Sequence, residues 1–182
     1  MDRVRAHRPQ DIPAARESIP GVRVRPRLSK IVSGGQTGVD RAALDVALRL
    51  GIPCGGWCPR GRRAEDGEVP ARYPLAETPD ARYPQRTAWN VRDSDGTLVV
   101  HAGPPGGGTA LTLRVARRQG KPVLAVDLDD DPDAAAVAAW MASSGLRVLN
   151  VAGPRESESP GIGDRADRLL EAVLTALSGL PR

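Results

Sequence analysis

Cysteine is nearly absent from this chain of 182 residues; Cys54 and Cys58 are its two examples, too few for the disulfide framework of a secreted scaffold. Three residues separate them, where a redox pair has two, and there is no second pair to complete a zinc site. The default reading is two reduced, partly buried thiols. Histidine is equally scarce. His7 and His101 cannot form a metal site on their own. No apolar run approaches the roughly 18 residues of a membrane span. The first ten residues include Asp2, Arg3, Arg5 and Arg8 and lack the apolar stretch of a secretory signal. Aromatic residues make up 3% of the chain, with none in the first 30, so that segment carries no stacking platform for single-stranded nucleic acid. No repeat of fixed period is present. These absences leave a cytoplasmic, soluble globular protein, with neither membrane nor nucleic acid expected as a partner.

The charge is unevenly placed. The first 30 residues carry eight basic and three acidic side chains, and the remainder carries eighteen against nineteen. The net +4 therefore belongs to an N-terminal arm. Residues 1–27 also hold Pro9, Pro13, Pro20 and Pro26 without an apolar period, and they read as a mobile basic arm. Residues 28–182 form one domain, long enough to bury a sizeable core.

Within that domain, short apolar runs alternate with one-faced helical patterns. Leu28–Ser33 reads as a strand that stops at Gly34-Gly35. Val39, Ala42, Ala43, Val46, Ala47 and Leu50 then recur at helical spacing, and Gly51 ends the pattern. A strand over residues 53–58 precedes a proline- and arginine-rich stretch, 59–86, that reads as an irregular excursion. A short helix over 87–95, a strand over 97–102, a helix over 109–119 and a strand over 122–128 follow. Asp131-Pro132 is expected to start the next helix, which runs to about Ser144. A last strand, 147–151, leads to a helix whose Ala166, Leu169, Leu170, Val173, Leu174 and Leu177 share a face. This alternation predicts an α/β fold: a Rossmann-like, doubly wound, mainly parallel sheet of about five or more strands, with helices on both faces. Ligands of such sheets bind beyond the carboxyl ends of the strands.

Two glycine-rich loops join a strand to a helix there. The first contains Ser33, Gly34, Gly35, Gln36, Thr37 and Gly38, with Asp40 and Arg41 in the helix that follows. The second contains Gly106, Gly107, Gly108 and Thr109. Backbone N–H groups at such turns suit an anion, typically a phosphate. The spacing matches neither a Walker loop nor the usual dinucleotide fingerprint, and tight packing is the alternative explanation. Arg155, in the loop after the last strand, is a further candidate for gripping a phosphate. Asp93 and Asp95 either cap the approach to their strand or turn into the crevice, where they would hold ligand hydroxyls, ring nitrogens or Mg²⁺. Arg60, Arg62 and Arg63 supply countercharge or a lid, or simply belong to a solvated loop. Trp57 and Trp89 either stack on a flat ligand or pack locally.

Ser33–Asp45, Asn90–Thr97 and Asn150–Ser157 resemble segments of the molybdenum-cofactor carrier family, in the same order along the chain. That family is part of a wider Rossmann-like group related to the cytokinin-activating phosphoribohydrolases, often misnamed lysine decarboxylases. The resemblance implies a homo-oligomer that shelters molybdopterin, the anionic, phosphorylated pterin of the molybdenum cofactor, with molybdoenzymes as recipients. The related hydrolases act on a nucleoside monophosphate and carry a PGGxGTxxE motif with a catalytic Glu. Here the loop is one residue shorter and Thr112 stands at the carboxylate's position, which leans the reading away from an enzyme. The alternatives are a nucleotide N-glycosidase or other nucleotide hydrolase, using Asp40, Asp95 or Glu156 instead, and a nucleotide-sensing module.

Overall fold

The computed structural model describes residues 28–179, so the basic arm lies outside the described part. β1 (Lys30–Val32) feeds α1 (Val39–Arg49), whose buried Val39, Ala42, Ala43, Val46 and Ala47 form the stripe expected from their spacing. β2 (Cys54–Cys58) follows, then a two-stranded ribbon of β3 (Arg63–Ala64) and β4 (Gly67–Glu68), then β5 (Leu75–Glu77) and α2 (Tyr83–Arg92). β6 (Gly96–His101), α3 (Gly107–Arg118), β7 (Val123–Asp127), α4 (Ala134–Ser143), β8 (Val148–Ala152) and α5 (Ile162–Gly179) complete the order.

Six strands form one parallel sheet in the order β5-β2-β1-β8-β6-β7. α1 and α4 flank α5, and α2 packs with α3. Ile31, Leu98, Leu149, Ile162 and Leu170 are each at most 2% exposed, and burying such a side chain contributes about 1.5–3 kcal/mol. A smaller core of Leu44, Cys58, Ala64, Val69, Tyr73 and Leu75 lies beneath the excursion.

Three local readings need correction. The stretch 59–86 is not wholly irregular, because it contains the ribbon, β5 and the first turn of α2; strands of two or three residues leave no readable alternation. α2 starts at Tyr83 rather than 87, with Pro84 tolerated in its first turn. The cap of α4 is Asp133, whose carboxylate accepts the Ala135 N–H at 2.8 Å, whereas Asp131 adopts a left-handed conformation after a short 3₁₀ turn.

The strand order locates the crevice. If β8 and α5 preceded β1, the six strands would be ordered 4-3-2-1-5-6, the reversing pattern of a doubly wound sheet. The order reverses between β8 and β6. A ligand site therefore belongs beyond the carboxyl ends of those two strands, at Ala152 and His101.

Candidate functional site

A cavity of about 310 Å³ opens at that point, walled by the first turns of α2 and α3 and by the loop after β8. Gly107, Gly108, Thr109 and Arg155 line it, together with Gln36 from the first loop and Asp40 from the first turn of α1. Gly106 caps α3 without a side chain, and there is no acid in the helix's first turn, so its positive end is left for an incoming anion. The loop leading into α3 is held from two sides. His101 Nδ1 lies 2.8 Å from the Gly103 carbonyl oxygen, and the Gly103 N–H donates to Asp127 Oδ1 at 3.2 Å.

The wall opposite α3 is built around a buried ion pair. Arg86 Nη1 donates to Asp40 Oδ2 at 3.2 Å, and the Gln36 N–H donates to the same oxygen at 3.3 Å. Burial pushes the Asp40 carboxyl above its usual range, and the Arg86 charge and the Gln36 hydrogen bond offset this only in part. Gln36 Oε1 accepts the backbone N–H groups of Thr37 and Glu65, at 3.2 and 2.9 Å. That leaves Gln36 Nε2 and Arg86 Nε buried without partners among the described residues. An unsatisfied buried donor costs about 1–3 kcal/mol, which an arriving acceptor would relieve. The Arg155 guanidinium lies 5.0 Å from the centroid of the Tyr83 ring, and its Nε is 3.7 Å from Glu158 Oε1. Arg114 on α3 adds an exposed cation at the rim.

Most of the first glycine loop is turned to packing instead. The Ser33 hydroxyl donates to the Val151 carbonyl at 2.8 Å. A side chain at Gly34 would overlap the Arg86 guanidinium, and one at Gly35 would meet Leu75 and Val69. Gly38, at φ +74°, lets α1 approach the backbone of Pro154 to Glu156. Arg41 is bound bidentately to Asp66 at 2.6 and 2.7 Å and faces the ribbon. Thr37 donates to Glu65, which also accepts from the Ser157 hydroxyl. Partial burial acts to raise Glu65, but the hydrogen bonds from Ser157 and Thr37 outweigh it and hold the carboxyl below its ordinary range. The tip of the ribbon thus straps the first loop to the loop after β8. The second loop remains open, because a Cβ at Gly106 or Gly108 would meet nothing within 4 Å.

Asp95 is a correction. Its Oδ2 accepts the N–H groups of Arg147 and Val148 at 2.9 and 2.7 Å, at the amino ends of β6 and β8, so it lies at the opposite end of the sheet from the cavity. Asp95→Ala should lower stability by about 2 kcal/mol in urea unfolding while leaving ligand affinity unchanged. Asp93 likewise pairs with Arg92 and accepts from Trp57 Nε1 at 2.7 Å. Trp57 and Trp89 meet edge to face at 4.7 Å, and the aromatic residue of the cavity is Tyr83. Arg62 is a brace rather than a lid, donating to the carbonyls of Val69, Pro70, Tyr73 and Leu75. Glu156 holds the start of α5 through the Gly161 and Gly163 N–H groups.

Burial raises the thiols of Cys54 and Cys58, which disfavours thiolate, and no acidic, histidine or cysteine cluster suited to a metal occurs among the described residues. Thr112 lines the cavity and donates to the Gly108 carbonyl at 3.0 Å. Sequence reasoning missed Arg86, Tyr83, Thr87, Arg114 and Glu158. They come from a stretch without clear periodicity or from helix and loop surfaces, and no spacing rule marks them. No helix among the described residues is long and apolar enough to cross a membrane.

Comparison with known proteins adds two findings. The profile described as "Circularly permutated YpsA SLOG family" matches residues 31–174. The crystal structure of a putative molybdenum carrier protein from Syntrophus aciditrophicus SB is 48% identical, with a TM-score of 0.78; the alignment covers 82% of this chain and 96% of that one. No curated protein matches.

Proposed function

The chain belongs to the circularly permutated YpsA SLOG family, and we propose that it binds and protects a phosphorylated pterin as a carrier of the molybdenum cofactor. The observation that carries this reading is the uncapped amino end of α3 facing a cavity at the switch point, with Arg114 and Arg155 at its rim. The phosphate would take the N–H groups of Gly107, Gly108 and Thr109. Gln36 and Arg86 supply buried donors beside it for acceptors on the ring, and Tyr83 supplies an aromatic face. At about 310 Å³ the cavity is at the small end for ligand sites, so it seats the phosphate and an adjoining ring rather than the whole cofactor. The 48% identity to a protein called a molybdenum carrier supports the same choice. The carrier is expected to be a cytoplasmic homo-oligomer that delivers its cargo to molybdoenzymes.

A second reading has its own support. Asp40 and Glu158 are both on the cavity wall, and two carboxylates flanking a glycosidic bond are the usual equipment for its hydrolysis. Thr112, unable to serve as a carboxylate, weighs against it. Anaerobic titration with molybdenum cofactor, and with AMP, GMP and GTP in parallel, decides between them. Stoichiometric cofactor binding with slowed oxidation is the expected result. Binding of a nucleoside monophosphate with release of free base would put the hydrolase first.

A further inference from the structure

The two edges of the main sheet are finished differently. At one edge, β5 is three residues long, and Arg62 binds the Leu75 carbonyl and the loop carbonyls before it. At the other edge, β7 runs for five residues, Val-Leu-Ala-Val-Asp, with Val123 and Leu124 half-buried and Ala125 exposed. Between residues 123 and 127 β7 has no proline, lysine or bulge, the usual devices that stop an edge from pairing. The Thr97 N–H donates to the Pro122 carbonyl, so strand alternation turns the N–H and C=O groups of Val123, Ala125 and Asp127 outward.

The ends of this edge carry opposite charge. Arg117 and Arg118, at the end of α3 just before β7, are exposed and form no ion pair among the described residues. Asp130 and Asp131, just after it, are likewise exposed and outside the ion pairs. A strand that is basic at one end and acidic at the other complements itself only when antiparallel. A two-fold axis through Ala125 would set Val123 against Asp127 of the second copy and bring each arginine pair to the other copy's aspartates. We propose that β7 is the contact between two copies of this chain, joining their sheets into one continuous sheet of twelve strands.

The test uses the full chain in sedimentation equilibrium and light scattering. Ala125→Pro removes an outward donor and leaves the ladder to β6 intact, and proline is tolerated on edge strands. This variant should halve the mass of the assembly while keeping its far-UV circular dichroism. A second arm guards against a folding defect. Arg117→Glu with Arg118→Glu should raise the dissociation constant at least tenfold, and adding Asp130→Lys with Asp131→Lys should bring it back. A wild-type protein that stays at 19.3 kDa at every concentration overturns the proposal. So does an assembly that neither Ala125→Pro nor the charge reversal weakens.

Discussion

Gly108→Asp should weaken binding of a phosphorylated ligand about a hundredfold while leaving the protein as stable as before or more so. Gly108 is in the first turn of α3, lines the cavity, and has open space where a Cβ would stand. A carboxylate there enters the ground proposed for the phosphate. Two like charges about 4 Å apart repel by about 4 kcal/mol at the effective dielectric of a protein surface, and solvent screening leaves about 3 kcal/mol of that. The effect on folding has the opposite sign. Replacing glycine by aspartate inside a helix gains about 0.2 kcal/mol, because aspartate is a weak helix former, and an acid near a helix amino end adds about 0.3–1 kcal/mol. Isothermal titration with the bound ligand, beside urea unfolding, reads both. Unchanged affinity in a folded variant would remove α3 from the site. Gly34→Asp cannot serve this purpose, because its side chain would collide with Arg86 before it met any ligand.

Asp40→Ala should cost about 3–5 kcal/mol of stability, since it leaves the Arg86 guanidinium enclosed without its carboxylate and strips the Gln36 N–H of its acceptor. Thermal unfolding would register a drop on the order of 10 °C for a domain of this length. The pH dependence has a definite sign. Burial raises the folded-state value of Asp40 above its unfolded value of 3.8, so the native state holds this proton more tightly. The contribution of that proton is fully present below the unfolded value, and it is lost as pH climbs through the folded one. Asp40→Asn keeps the shape and cannot ionise. The stability of wild type relative to Asp40→Asn should therefore fall as pH rises from about 4. A flat difference between the two would mean that Asp40 feels no net penalty from burial.

The architecture was largely legible because its signals are local. Val39 to Ala47 and Ala166 to Leu174 announce buried helix faces by spacing alone, and Thr97 to His101 forms a strand buried at every position, as a parallel central strand requires. The two glycine loops were visible for the same reason, whereas Thr112 at the position of a carboxylate was legible only through the resemblance to the related hydrolases. What each loop does was not visible. Glycine is demanded equally by a close-packed turn and by an open anion cradle, and the residues that decide between them come from elsewhere in the chain. Val69, Leu75 and Arg86 occupy the space beside the first loop, and nothing occupies the space beside Gly108.

The chain order misled on Asp95 in a comparable way. Close in sequence to a strand of the site, it stands at that strand's amino end and holds the backbone of Arg147 and Val148. By itself, then, the sequence determined a parallel α/β sheet with two glycine-rich strand-to-helix turns, because periodicity and turn chemistry act over a few residues. The tertiary structure alone decided that β8 inserts between β1 and β6, that the crevice opens beside α3, and that Arg86 and Tyr83 belong to it. Those are contacts between residues tens of positions apart, created by strand order and by the burial of a charge, and no local pattern encodes them.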